Sequence, residues 1–268
     1  MVDKNTIVFA ADSRFSEQLM TAIKSICYHN KDIRFFILNR ELSSEWFSHI
    51  RAFLEKINCE IFDIKIEYNE LKKYSTLPHI SSDSTYFRYF IPEFIDSDRV
   101  LYLDCDVIVN GSLNSMFEIE LGGYFLAASL DNLAHDFHNQ DNAFNAGVLI
   151  INNQLWKKYD THQELLRLTE QYGHKISDSD QGILNLLFEG KWVKLTHNAN
   201  YLVGAEYIYI KNNLTQLILR PENELPLILH FNTEFKPWLP IYDLPFRDIY
   251  WFYYSLPWQD IITKHQEG

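Results

Sequence analysis

The amino-acid sequence predicts an α/β protein whose mostly parallel central sheet is flanked by helices. Short apolar runs, as in strands buried on both faces, alternate with amphipathic stretches at helical spacing. Over residues 6–66 the order is strand, helix, strand, helix, strand, the pattern of parallel crossovers. With 47% hydrophobic residues in 268, the chain can fill one large core.

The first strand is Thr6-Ile7-Val8-Phe9-Ala10. Residues 16–29 follow as a helix with Leu19, Ile23 and Ile26 on one face and Ser16 at its N-cap. Residues 34–38 form the second strand, 43–57 an amphipathic helix carrying Phe47, Ile50 and Leu54, and 60–66 the third strand. Residues 84–90 read as a helix stopped by Pro92. Residues 100–103 are apolar on both faces and run into Asp104-Cys105-Asp106. Residues 125–130 and 147–151 are further core strands; 156–172 and 180–188 are helices, the second capped by Asp178 or Ser179. Beyond Lys191, Pro221, Pro226, Pro237, Pro240 and Pro245 interrupt the pattern. The apolar runs at Ile208, 217–219 and 225–231 read as shorter strands and loops closing over the sheet. Residues 248–264 form a terminal aromatic helix interrupted at Pro257.

Charge narrows the function. Lys and Arg number 24 against 36 Asp and Glu, a net charge of -12. Such a chain has no basic surface with which to displace counterions from a nucleic acid, so no nucleic-acid partner is expected. An anionic ligand such as a nucleotide must be held locally, by a divalent cation and one or two placed basic residues. The three cysteines, Cys27, Cys59 and Cys105, are odd in number and match no zinc spacing. They read as free thiols of a cytoplasmic protein. The apolar run 7–11 is too short for a signal peptide and nothing is long enough to span a bilayer. Any membrane contact is at most peripheral, because the aromatic stretch 250–254 lacks flanking Lys and Arg.

The sharpest motif is Asp104-Cys105-Asp106 at the end of a buried strand. Two carboxylates two residues apart lie on one side of an extended chain and repel unless compensated. A divalent cation compensates them, and hard oxygen ligands suit Mg²⁺ or Mn²⁺ completed by substrate phosphates. In open α/β sheets, ligands bind at the carboxyl ends of strands. A polar turn after a strand is the other reading of the same residues.

Six segments, in order along most of the chain, resemble glycosyltransferase family 8. They are Ile7-Val8-Phe9-Ala10-Ala11-Asp12; Thr85-Tyr86-Phe87-Arg88-Tyr89-Phe90-Ile91-Pro92; Val100 to Asp106; Phe144-Asn145-Ala146-Gly147-Val148-Leu149-Ile150-Ile151-Asn152; Asp178-Ser179-Asp180-Gln181-Gly182-Ile183-Leu184-Asn185; and His230-Phe231-Asn232 with Lys236-Pro237-Trp238. The resemblance implies a GT-A nucleotide-sugar-binding fold over 1–240, with 241–268 a C-terminal aromatic helical extension. It also implies a retaining hexosyltransferase that takes galactose, or next glucose, from a UDP-sugar to a glycan, glycolipid or glycoprotein. The metal, Mn²⁺ or Mg²⁺, would sit on Asp104, Asp106 and His230. Ala10, Ala11, Asp12, Arg88, Asp104, Cys105 and His230 would bind the donor, with Asp12 at the uracil and Arg88 at the donor sugar and phosphate. Asp131, Asn145, Ala146, Asp180 and Gln181 would line the sugar, and Lys236 would contact the diphosphate. Asp180, Gln181 and Lys236 are the expected catalytic residues. Ser13-Arg14-Phe15 departs from the family's usual Asp-Asn-Tyr, and Asn232 from its usual Gly. The rival readings are a metal-dependent nucleotidyltransferase, which usually has a Gly-rich phosphate loop not seen near Ala10, and a non-catalytic carbohydrate-binding protein.

Overall fold

The computed structural model describes residues 4–74, 82–138, 140–220 and 224–267. Its strands are β1 (Asn5–Ala11), β2 (Ile33–Asn39), β3 (Glu60–Lys65), β4 (Arg99–Leu103), β5 (Val107–Val109), β6 (Leu126–Ala128), β7 (Val148–Asn152), β8 (Trp192–Lys194), β9 (Tyr201–Leu202) and β10 (Ile228–His230). Seven form one sheet in the order β3-β2-β1-β4-β7-β6-β8. All neighbours are parallel except β7, which runs antiparallel to both β4 and β6. A second, three-stranded sheet has the order β5-β10-β9.

Side chains alternate across the large sheet, as the pleat requires. Ile7, Phe9, Leu101 and Leu103 face one hydrophobic core with the helices Ser16–His29 and Ser44–Leu54. Val8, Val100, Tyr102 and Leu149 face a second core with Trp156, Leu165 and Leu184. Both faces are covered, which is why these strands read as unbroken apolar runs. The terminal segment is two helices, Arg247–Ser255 and Trp258–Glu267, separated at Pro257. They pack on Ser16–His29 and share its core: Trp258 stacks on Phe53 at 5.4 Å and Lys24 donates to the Tyr254 carbonyl at 3.0 Å. Among the described residues, no helix is long and apolar enough to cross a membrane.

Several sequence expectations need correction. Ser16 is the first residue of its helix rather than the cap; Asp12 caps the preceding 3-10 turn Ser13–Phe15 by accepting from the Arg14 amide. Pro92 does not stop the segment before it. The run Asp83–Phe90 is a 3-10 helix that continues into an α-turn, Ile91–Phe94, and Pro92 sits in that first turn, where its missing N–H costs nothing. The helix expected over 156–172 is two, Asn153–Lys158 and Thr161–Tyr172, because Asp160 takes a left-handed backbone (φ 49°). Ile208 lies in a helix, Val203–Lys211, not a strand. Val203, Ala205, Tyr207 and Tyr209 alternate in the sequence, but Gly204 and Glu206 between them are buried as well, since the helix is enclosed nearly all round. Pro221 lies outside the described residues.

Candidate active site

β1 has β2 on one flank and β4 on the other, so the chain order reverses at β1 and a crevice opens at the carboxyl ends of β1 and β4. A cavity of about 460 Å³ occupies it. Every residue singled out for catalysis, donor binding or metal ligation lines this cavity, from Ala10, Ala11 and Asp12 at the end of β1 to Lys236.

Its floor is the crossing between the two sheets. β4 ends at Leu103 in the large sheet and β5 begins at Val107 in the small one, so Asp104-Cys105-Asp106 is the turn that joins them. The carboxylates are brought together by this turn rather than by an extended strand. On one side the Asp104 amide donates to the Gly147 carbonyl at 2.8 Å. On the other, β5 pairs antiparallel with β10 so that Val107 faces His230. Asp104, Asp106 and His230 thus offer ligand atoms that all lie within 4.8 Å of one another. His230 Nε2 stands 3.3 Å from Asp106 Oδ1 and 3.8 Å from Asp104 Oδ2.

Two cations brace the carboxylates. Lys236 Nζ is 2.5 Å from Asp106 Oδ2. Burial alone would raise the Asp106 pKa, but the Lys236 ammonium beside it holds it well below the usual carboxylate range. Arg88, 3% exposed, pairs with Asp104 Oδ1 and Asp180 Oδ2, each at 2.9 Å, and donates to the carbonyls of Ala146 and Thr85. Its guanidinium also lies 4.3 Å from the centre of the Tyr102 ring, whose hydroxyl donates to Asp104 at 2.8 Å. Burial opposes the Arg88 charge, yet the two carboxylates keep it a cation. Burial pushes the Asp180 carboxyl up against the pull of Arg88 and of Thr85, which donates to it.

The opposite wall is built from amides. Gln181 Oε1 accepts from the Ala146 amide at 3.0 Å and from Asn145 Nδ2 at 3.3 Å, while its Nε2 donates to Asp131 at 2.9 Å. Asp131 Oδ1 in turn accepts from the Ala134 amide at 3.1 Å. At the end of β1, burial is offset by Arg14 and Ser82, so Asp12 stays below the usual carboxylate range. The Cys105 side chain is tied to the end of β1: burial keeps its thiol protonated, and it donates to the Ala10 carbonyl at 3.4 Å.

Sequence reasoning missed Tyr102 and Asn200. Tyr102 sits in an apolar strand and reads as core; Asn200 lies between weakly patterned elements. No local signal marks either one. The need for glycine at 147 is steric. A Cβ there would fall 2.7 Å from Asp104 Oδ2 and 2.8 Å from His230 Nε2.

Comparison with known proteins places this geometry. The family model described as glycosyl transferase family 8 matches residues 6–241. Glycosyltransferase GlyB of Streptococcus pneumoniae is 40% identical over 266 residues, covering 98% of this chain and 65% of GlyB. Glycosyltransferase GlyE of the same organism is 36% identical over 263 residues, covering 97% of this chain and 63% of GlyE. The chain thus spans somewhat less than two thirds of either relative. The crystal structure of GlyE matches with a TM-score of 0.86 at 34% identity, over 98% of this chain and 63% of that one. That of the galactosyltransferase LgtC, in complex with donor and acceptor sugar analogs, matches with a TM-score of 0.79 at 27% identity, over 96% and 99%.

Proposed function

The chain belongs to glycosyl transferase family 8 and has the GT-A type of fold, and on that premise we propose that it is a retaining hexosyltransferase using a UDP-sugar. The observation that carries the reading is the convergence of Asp104, Asp106 and His230 at the cavity floor, with Lys236 beside them. Two carboxylates and an imidazole suit Mn²⁺, with Mg²⁺ the alternative, and Gly147 leaves room for the ion. When bound, such an ion offsets negative charge on a diphosphate.

The chain's own residues then divide the work. Asp12, Ala10 and Ala11 bind the base end, with the Cys105 thiol beside them on the Ala10 carbonyl. Lys236 stabilises the leaving diphosphate, and Arg88 fixes Asp104 and Asp180 around it. Asp131, Asn145, Ala146, Asp180 and Gln181 shape the sugar pocket. The C1–O bond to the diphosphate breaks, the acceptor hydroxyl oxygen bonds to C1 from the same face, and its proton passes to the departing phosphate oxygen. Positive charge develops at the sugar carbon during the transfer. Front-side attack is favoured because both acceptor directions of Gln181 Oε1 are taken by Ala146 and Asn145, so no lone pair is free to act as a nucleophile.

Galactose is the favoured hexose, in line with the LgtC likeness, and glucose is next. The acceptor is a glycan, glycolipid or glycoprotein. Residues 1–240 form the catalytic unit and 241–268 an extension that buttresses it. Three free, buried thiols fit a cytoplasmic setting. The test is release of UDP from a panel of UDP-sugars, with and without Mn²⁺ and candidate glycans. Mn²⁺-dependent release, greatest with UDP-galactose, is expected. Binding of UDP with no release from any UDP-hexose would leave a carbohydrate-binding protein, and turnover of a nucleoside triphosphate a nucleotidyltransferase.

A further inference from the structure

His230 is held from behind by a chain of amides whose directions can be worked out from the backbone. The Gly147 N–H lies 3.1 Å from Asn145 Oδ1; a backbone N–H only donates, so that atom is the oxygen. The Asn200 atom 2.9 Å from the same oxygen must therefore be the amide nitrogen, Nδ2. This turns Asn200 Oδ1 toward His230 Nδ1, at 3.1 Å. An amide oxygen only accepts, so His230 carries its hydrogen on Nδ1. In a neutral imidazole the lone pair is then on Nε2, the atom that faces Asp104 and Asp106. A second backbone group gives the same answer. The Ala146 N–H fixes Gln181 Oε1 as an oxygen, so the Asn145 atom 3.3 Å from it is the nitrogen and Asn145 Oδ1 points to Gly147 and Asn200.

Asn200 is 1% exposed and precedes β9, which pairs parallel with β10 so that Leu202 lies beside His230. The strand pairing thus delivers the amide to the imidazole. We propose that Asn200 is a positioning residue: its carbonyl oxygen fixes the one tautomer of His230 that can ligate a divalent cation. Through Asn145, the same amide ties that ligand to Gln181 and Asp131 on the sugar side. The inference rests on the reading of His230 as a metal ligand. Groups in this position typically change metal affinity by about 10–100-fold when removed.

Two readouts test it. In the protein saturated with UDP and diamagnetic Mg²⁺, long-range ¹⁵N–¹H spectra, assigned with His230→Gln, should show His230 as the Nδ1–H tautomer. An Nε2–H tautomer overturns the proposal. Mn²⁺ uptake in the presence of UDP, followed by the loss of free-Mn²⁺ electron paramagnetic resonance signal, should weaken about tenfold or more in Asn200→Leu. In Asn200→Asp, which keeps an oxygen facing Nδ1 but gives up the donor to Asn145 Oδ1, the loss should stay below about tenfold. Unchanged affinity in Asn200→Leu overturns the proposal. Should that variant fail to fold, a tenfold loss in Asn200→Asp overturns it. If the parent takes up no Mn²⁺, the metal reading fails and the proposal with it, an outcome distinct from equal uptake by parent and variant.

Discussion

Gly147 and His230 are in such close contact that a Cβ at Gly147 would lie 2.1 Å from His230 Cε1. The absence of a side chain at one position sets the space in front of the imidazole at the other. Gly147→Ala must displace His230 or Asp104. Overpacking of this kind costs about 1–3 kcal/mol of stability. Mn²⁺ affinity should fall at least as far as in Asn200→Leu, and isothermal titration with UDP present would measure it. A variant that binds Mn²⁺ as tightly as the parent would show that the glycine serves only the fold.

Arg88 ties two walls of the cavity, Asp104 on β4's end and Asp180 at the start of the helix Ser179–Leu187. Removing one member of a buried ion network leaves uncompensated charge, at a cost of about 3–5 kcal/mol. Arg88→Ala should lower the free energy of unfolding by about that amount in urea titration. Arg88→Lys should recover only part of it, because an ammonium cannot span both carboxylates and two carbonyls. Equal stability of Arg88→Lys and the parent would contradict this account.

Lys236 and His230 both contact Asp106, but their roles separate. Lys236→Met should keep Mn²⁺ affinity and lose about 10²–10³ in turnover, the typical effect of removing one group that stabilises developing negative charge. His230→Ala should lose both. Steady-state kinetics alongside Mn²⁺ titration would distinguish them, and a Lys236→Met variant that fails to bind Mn²⁺ would make the lysine part of the metal site.

Acid should loosen the terminal helices. His29 bonds to the Tyr253 hydroxyl at 2.8 Å, and burial, with Lys264 and His265 nearby, lowers its pKa from 6.5 to about 4. The unfolded chain therefore takes up a proton that the folded chain refuses, so stability present above pH 6.5 is lost as the pH falls toward 4. The ring is partly exposed, and solvent screening reduces the effect to ~1 kcal/mol. The parent's unfolding midpoint should fall ~2–4 °C further than that of His29→Gln between pH 6.5 and 4. Parallel pH profiles in scanning calorimetry would remove His29 from the account.

The sequence was most legible where burial on both faces left a continuous apolar run. β1, β2, β4 and β7 all read that way, and they carry Ala10, Asp104 and Gly147 to the crevice. The family motifs were legible because each is one contiguous segment. His230 gave no signal alone; its place depends on the pairing of β10 with β5, more than a hundred residues apart in the chain. The turn at Asp104–Asp106 was one of two readings of the sequence, but its crossing from one sheet to the other was hidden, because that the strands on either side belong to different sheets is a long-range fact. Asn200 was invisible because its chemistry lies in the orientation of an amide, which only the surrounding hydrogen bonds define. The helix Val203–Lys211 misled because enclosure on nearly every side erased its 3.6-residue period.

The central claim is that Asp104, Asp106 and His230 together hold a divalent cation that this acidic chain needs to grip a diphosphate. Binding of UDP after complete chelation, and again after Mn²⁺ is restored, tests it most directly. The account predicts that chelation weakens UDP at least tenfold, that Mn²⁺ restores it, and that Asp106→Asn and His230→Ala do not respond to Mn²⁺. UDP binding that is equally tight with and without Mn²⁺, in the parent and both variants, would contradict it.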